Sequence, residues 1–261
     1  MGNGYDKETG NFIKLVLFNI KDKTSSSTYF HMIDLSIVYL IVVSGFHITI
    51  LKRMINYLFK RNKLLGNILN CSIIFFYCYL LNFAVSVTRV LLMFIFTLLL
   101  RRRINNRYDI LCLSGLFSLL LNPYCVFNIG FCMSYLCTIA IIYVYELQIS
   151  NFLLEKILIN VVAVTVSLPF VILLQHKISL WVIINSFAFS YLFAFVFVYF
   201  LLTFWIVWIK VIQSFLAHSV MFLVNANWSM NVTINIKDFS AITESFYFIV
   251  SYFAIRMLQF L

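Results

Sequence analysis

The sequence predicts an all-α protein, a polytopic transmembrane helical bundle of about seven to eight spans with its N-terminus outside. Three observations predict it. Of 261 residues, 63% are hydrophobic and only 11% are charged, whereas a soluble domain carries about a quarter charged residues. The chain holds 29 Phe and 15 Tyr, more than one water-soluble core of this length could hide, and its mean hydropathy is +1.00. The charges are also unevenly placed: long apolar runs alternate with short basic segments, the pattern of spans and their connecting loops. A soluble domain, a collagen, a disordered tail and a disulfide-stapled secreted scaffold are all excluded by this composition.

The first element, residues 1–33, is a polar N-terminal segment. Residues 34–51 carry no charge beyond Asp34, and at 1.5 Å per residue they extend roughly 27 Å, enough to span with help from the flanks. Asp34 is expected at the start of that helix, as N-cap or first-turn acid. Lys52, Arg53, Lys60, Arg61 and Lys63 then crowd one basic loop. Residues 64–100 contain a single charge, Arg89, and read as two short spans that turn near residues 82–88. A second basic loop carries Arg101, Arg102, Arg103 and Arg107. Basic loops face the cytoplasm, so the hairpin between them begins and ends there, and the N-terminus lies outside.

Residues 110–145 have no charge and are broken by Asn122-Pro123, which makes a second hairpin. Residues 157–174 form a span with Pro169 inside it, which membrane helices tolerate. Residues 178–209 are again uncharged. One straight helix of that length would reach about 48 Å, so a break or re-entrant piece is expected near Asn185-Ser186. Residues 211–224 are apolar and amphipathic, as in an interfacial helix. Residues 225–261 are a polar linker and a final apolar helix. Three stretches result: 1–33, a membrane domain over 34–224, and 225–261.

The balance of 19 Lys and Arg against 9 Asp and Glu gives +10, concentrated in the two basic loops. Six cysteines without a CxxC or regular spacing read as free buried thiols. Phosphate-binding loops, HExxH and GxSxG are absent, so no metal, no cofactor and no enzymatic activity are expected. The candidate chemistry lies in polar groups inside apolar runs. Ser44, Gly45 and His47 share one span: Gly45 allows close helix approach, and Ser44 and His47 lie one turn apart on one face. Arg89 is costly in the bilayer, about 2.5–3.5 kcal/mol on insertion scales, and either snorkels to the surface or meets something anionic. Three functions fit: a polar permeation path, a transporter of small solutes or lipids, and an intramembrane hydrolase with Ser44 as nucleophile.

Several motifs then fall in a known order. Tyr39-Leu-Ile-Val-Val-Ser44-Gly45-Phe46-His47 resembles the His-Leu-Leu-Ala-Ile-Ser-Gly-Leu-His signature of the ComEC competence-protein family. Ser86-Val-Thr-Arg89 resembles its Ser-x-x-Arg motif, and Arg101-Arg102-Arg103 its basic loop. Asn122-Pro123 followed by Gly130-Phe-Cys-Met-Ser134-Tyr135 is similar to its Asp-Pro and Gly-Phe-Gln-Leu-Ser-Phe. Leu168-Pro169 and Asn185 match its later landmarks. The resemblance covers roughly residues 34–209; Tyr39 and Cys132 depart from it, standing where the family has His and Gln.

The resemblance implies a multi-pass protein of the bacterial cell membrane that imports single-stranded DNA during natural transformation. It implies a DNA path touching Ser44, Gly45, His47, Ser86, Arg89, Gly130, Ser134, Pro169 and Asn185. Neither the family's outer OB-like domain nor its metallo-β-lactamase-like domain fits these 261 residues, so only the channel part is implied. The expected partners are single-stranded DNA, membrane lipids, a separate DNA receptor, a nuclease, a cytoplasmic helicase-type ATPase and further copies of the chain as a homo-oligomer.

Overall fold

A computed structural model describes residues 7–18, 20, 27–37, 45–100, 103–104, 106–203 and 210–235. Among these residues the chain is built of ten α-helices and one two-stranded ribbon. In chain order the helices are α1 (Lys7–Phe18), α2 (Ser27–Asp34), α3 (Gly45–Leu58), α4 (Lys63–Leu80) and α5 (Val85–Leu100). They continue with α6 (Arg107–Leu121), α7 (Ile129–Glu146), α8 (Phe152–Gln175), α9 (Val182–Thr203) and α10 (Lys210–Ser229). Strand β1 (Lys177–Ser179) pairs antiparallel with β2 (Thr233–Asn235), Ile178 opposite Ile234. Helices α7, α8 and α9 are long and apolar enough to cross a membrane; α5 and residues Leu64–Leu80 of α4 are shorter apolar helices. Helices suit this solvent because each satisfies its own backbone hydrogen bonds.

The breaks are local and legible. α4 ends where Asn82 (φ 49°) and Phe83 (φ 52°) turn left-handed, a conformation that Asn tolerates better than most side chains. α6 ends at Leu121. Asn122 is its C-cap, and the same side chain accepts from Tyr124 N and so starts a single 3-10 turn, Pro123–Phe127. Asn128 then caps α7 by accepting from Gly130 N at 2.8 Å. Asn151 caps α8 in the same way through Leu153 N and Leu154 N. Each cap satisfies backbone donors that the helix start leaves open. α8 runs unbroken through Pro169 to His176, a left-handed C-cap with φ 52°.

Four expectations are corrected. Asp34 closes α2 instead of opening a span: its carboxylate accepts from Trp228 Nε1 at 3.2 Å and its backbone oxygen from Asn231 at 3.1 Å. The break expected at Asn185-Ser186 lies upstream, at Leu180-Trp181, because residues 177–179 are taken into the β1–β2 ribbon. Asn185 and Ser186 therefore sit in the first turn of an α9 that continues for 22 residues, a length close to ~33 Å. Lys52 and Arg53 belong to α3, not to a loop; Lys60 and Arg61 occupy the turn after it, and Lys63 begins α4. All six cysteines are free, but only Cys78 is buried.

The chain divides into two compact units, one of Met1–Leu91 with Ala188–Val232, the other of Leu92–Phe187 with Thr233–Leu261. In the first unit α10 is amphipathic. Its Gln213, Ala217, Val220, Met221 and Val224 are buried, while Val211, Phe215 and Phe222 are exposed. Gln213 Nε2 ties it to α9 through Thr203 O and Oγ1 at 2.9 and 2.8 Å. In the second unit the five-residue connection between α7 and α8 makes an antiparallel pair. Ala140 and Val144 pack against Val162 and Val166; these small and β-branched side chains let the two helices approach closely.

Candidate functional site

In the first unit the expected polar groups gather around the start of α3. Gly45 opens that helix. His47 comes next in its first turn and is 2% exposed, with its ring centroid 4.7 Å from that of Phe197 on α9. Tyr77 of α4 stands edge-on to the same Phe197 at 6.0 Å and donates its hydroxyl proton to Leu17 O of α1 at 2.5 Å. The four helices thus meet on one aromatic cluster, and the polar end of Tyr77 is used up by a main-chain oxygen. Buried aromatic pairs of this kind add about 0.5–1.5 kcal/mol beyond their burial.

Arg89, on α5, is 8% exposed. Its guanidinium lies over Gly45: a Cβ at that position would stand 2.8 Å from Nη2 and 3.0 Å from Val90 Cγ2. Glycine leaves room for this approach, whereas a Cβ here would force Arg89 or Val90 to shift. Arg89 does not snorkel along its helix into the open; it is enclosed among helices. A guanidinium presents five donors in a planar fork suited to phosphate. Ser86, one turn earlier on α5, is half-buried. The structure therefore brings Gly45 and Arg89 together and sets His47 two residues along the same helix. Ser44, Arg101 and Arg102 lie outside the described residues.

In the second unit Gly130 is exposed at the start of α7, and Ser134 is half-buried one turn on. Pro169 is buried within α8. Asn185 is 4% exposed in the first turn of α9. Its neighbour Ser186 donates to Asn160 Oδ1 of α8 at 3.1 Å, and Asn160 Nδ2 donates to Ile183 O at 3.4 Å. These side-chain links join α8 to α9 where lipid offers no alternative partner.

Sequence reasoning missed a polar seam between α6 and α7. The Tyr135 hydroxyl lies 3.2 Å from Ser118 Oγ and 3.4 Å from Ser114 Oγ. The Tyr135 ring covers Gly115, where a Cβ would stand 3.3 Å from Cε1. The signal was present as small residues at Ser114, Gly115 and Ser118, a spacing that opens one helix face to a neighbour. Among the described residues no three His, Cys, Asp or Glu side chains come together as a metal site.

Of the basic residues, Arg53, Lys60, Arg61, Arg103 and Arg107 are exposed and Lys52 is half-buried. Exposed cations attract phosphates over a Debye length without holding them in fixed geometry.

Comparison with known proteins adds the context. The chain is 26% identical over 187 residues to "Uncharacterized protein MG316" of Mycoplasma genitalium, covering 70% of this chain and 48% of that protein. It is 27% identical over 182 residues to its homolog in Mycoplasma pneumoniae, covering 67% and 47%. The chain thus spans about half the length of the curated relatives it matches. No solved structure matches it significantly. The family model described as "Competence protein" matches residues 16–260. By that match, which takes in every polar group placed above, the chain belongs to the competence protein family.

Proposed function

We propose that the chain is a membrane channel domain that imports single-stranded DNA during natural transformation. It crosses the bacterial cell membrane about seven to eight times with its N-terminus outside. It acts as a conduit and not as an enzyme, and a separate receptor, nuclease and helicase-type ATPase supply capture, strand degradation and energy.

The observation that carries this reading is Arg89, a cation more than nine-tenths buried among apolar helices beside Gly45. Burying a charge in such surroundings is unfavourable and usually marks an ion or substrate path. A guanidinium matches a phosphodiester. A path for a polyanion must attract each phosphate weakly enough to release it, so a few enclosed polar groups suit it better than a dense basic lining. Ser86, Ser134 and Asn185 are uncharged hydrogen-bonding groups of the kind such a path needs. The cations from Lys52 to Lys63 and from Arg101 to Arg107 suit the cytoplasmic mouth, where a surplus of positive charge draws out emerging DNA.

The test is the uptake of radiolabelled DNA into a DNase-resistant form by transformable cells that depend on this gene. Arg89→Ala lowers uptake at least tenfold, the effect of losing ~1.4 kcal/mol of interaction, while the protein still inserts in the membrane and small-solute uptake is unchanged. Normal uptake by the Arg89→Ala protein would overturn the reading.

A further inference from the structure

The second unit holds a cluster that shares only Arg107 with the basic segments assigned to the conduit's mouth. At one end of the α6, α7 and α8 helices, the Arg107 guanidinium carbon lies 5.8 Å from the centre of the Tyr145 ring. Lys156 Nζ lies 5.6 Å from the same ring and 5.1 Å from the ring of Phe152. Two cations thus attend one tyrosine, although like charges repel. Neither is held by a carboxylate ion pair among the described residues. The nearest acids in sequence are Asp109, Glu146 and Glu155.

The cluster's place in the chain indicates what it meets. α7 ends at Glu146 and α8 begins at Phe152, and both are long and apolar enough to cross a membrane. Tyr145, Phe152 and Lys156 therefore stand at span ends, the depth at which aromatic rings and lipid headgroups lie. Directly beside the cations the first turns of α8 expose Phe152 (66%), Leu153 (70%), Leu154 (47%) and Ile157 (51%). A charged end continuing into an apolar face matches an amphiphile. A nucleic acid strand would complement the cations but not the leucines.

We propose that Arg107, Tyr145, Phe152 and Lys156 form a binding site for an anionic phospholipid. Its headgroup phosphodiester lies against Arg107 and Lys156, and its acyl chains run along Leu153, Leu154 and Ile157. The site holds whatever passes through the protein, so it stands or falls separately from the DNA reading.

The test uses the full chain purified in detergent. Native mass spectrometry and thermal unfolding read its binding of phosphatidylglycerol, with phosphatidylcholine, glycerol 3-phosphate and a single-stranded oligonucleotide as the other arms. Phosphatidylglycerol binds preferentially and raises the melting temperature. Glycerol 3-phosphate, which lacks acyl chains, competes only weakly. Arg107→Gln and Lys156→Gln each weaken binding about fivefold, and together about 30-fold, as expected from ~1 kcal/mol per basic residue at an anionic surface. The paired Arg107→Lys and Lys156→Arg protein keeps the preference. Equal binding of phosphatidylglycerol and phosphatidylcholine would overturn the proposal. So would undiminished binding by either Gln variant, or oligonucleotide binding at this cluster in place of phosphatidylglycerol.

Discussion

The contact between Gly45 and Arg89 makes a prediction that can be worked through. In Gly45→Ala the new methyl would lie 2.8 Å from Arg89 Nη2 and 3.0 Å from Val90 Cγ2, where carbon contacts normally settle at roughly 3.5–4.0 Å. Both neighbours must give. The guanidinium is the end of a flexible chain and can swing away, but Arg89 is only 8% exposed, so any new position must be found among packed side chains. Val90 is β-branched and stiff at χ1. Overpacking of this kind costs about 1–3 kcal/mol. At roughly 2–4 °C per kcal/mol for a chain of this size, the melting temperature in detergent falls by about 2 °C to about 12 °C. A double-mutant cycle isolates the cause. In an Arg89→Ala background the guanidinium is gone, and Gly45→Ala costs at least ~1 kcal/mol less than in the native chain. DNA uptake falls in the single variant because Arg89 is displaced. If the two substitutions add within about 0.5 kcal/mol, Arg89 does not lie over Gly45 and the geometry of the site is wrong.

Two further predictions concern polar groups elsewhere. Asn70 is fully buried and donates to Asn56 Oδ1 at 2.7 Å between α3 and α4. Asn56→Ala strands a buried amide and costs about 1–3 kcal/mol, whereas Asn70→Leu removes the polar group itself and is close to neutral; chemical or thermal melts of both variants check the order. The Tyr108 hydroxyl is pushed up to about 12 by desolvation first, then by its hydrogen bond to Glu146 and by that carboxylate's charge. Its folded value exceeds its unfolded one, so its contribution to stability is complete below pH 10 and is lost as pH rises through 12. A Tyr108→Phe difference titration of tyrosinate absorbance reads it. In Glu146→Gln the midpoint falls toward the ordinary tyrosine value, and an unmoved midpoint would mean that Glu146 has no part in the shift.

Much of the fold was legible because the features concerned are local. Asn122-Pro123 ends a helix whatever surrounds it, since proline lacks an N–H and the asparagine side chain caps the next turn. The turn at Asn82-Phe83 and the passage of α8 through Pro169 could be read for the same reason. Two other features were illegible because their causes are remote. Nothing near residue 178 says that residues 233–235 will pair with it, and that pairing decides where α9 begins. Asp34 looked like a helix start because an acid before an apolar run favours one, but Trp228 and Asn231, far along the chain, hold it at a helix end.

The candidate site divides along the same line. His47 and Arg89 stood out as polar groups in apolar runs, which is a compositional signal. Their neighbours Phe197 and Tyr77 did not, because one more Phe or Tyr among so many carries no mark. Gly45 was noticed for helix packing, but that the group filling its space is a guanidinium is tertiary information. The Tyr135 seam could have been found from Ser114, Gly115 and Ser118, had their helical spacing been weighed.

The central claim is that DNA passes beside Arg89 and His47. It is tested most directly by trapping a strand in transit. In a cysteine-free chain, His47→Cys, Ser86→Cys one turn from Arg89, and the exposed control Leu120→Cys (81% exposed) are each offered single-stranded DNA bearing pyridyl disulfides along its backbone during active uptake; a cysteine thiolate that meets one forms a disulfide to the DNA and releases thiopyridone. The account predicts disulfide-linked DNA at positions 47 and 86 and none at 120. Continued uptake with no linkage at 47 or 86, or linkage at 120 alone, would contradict it.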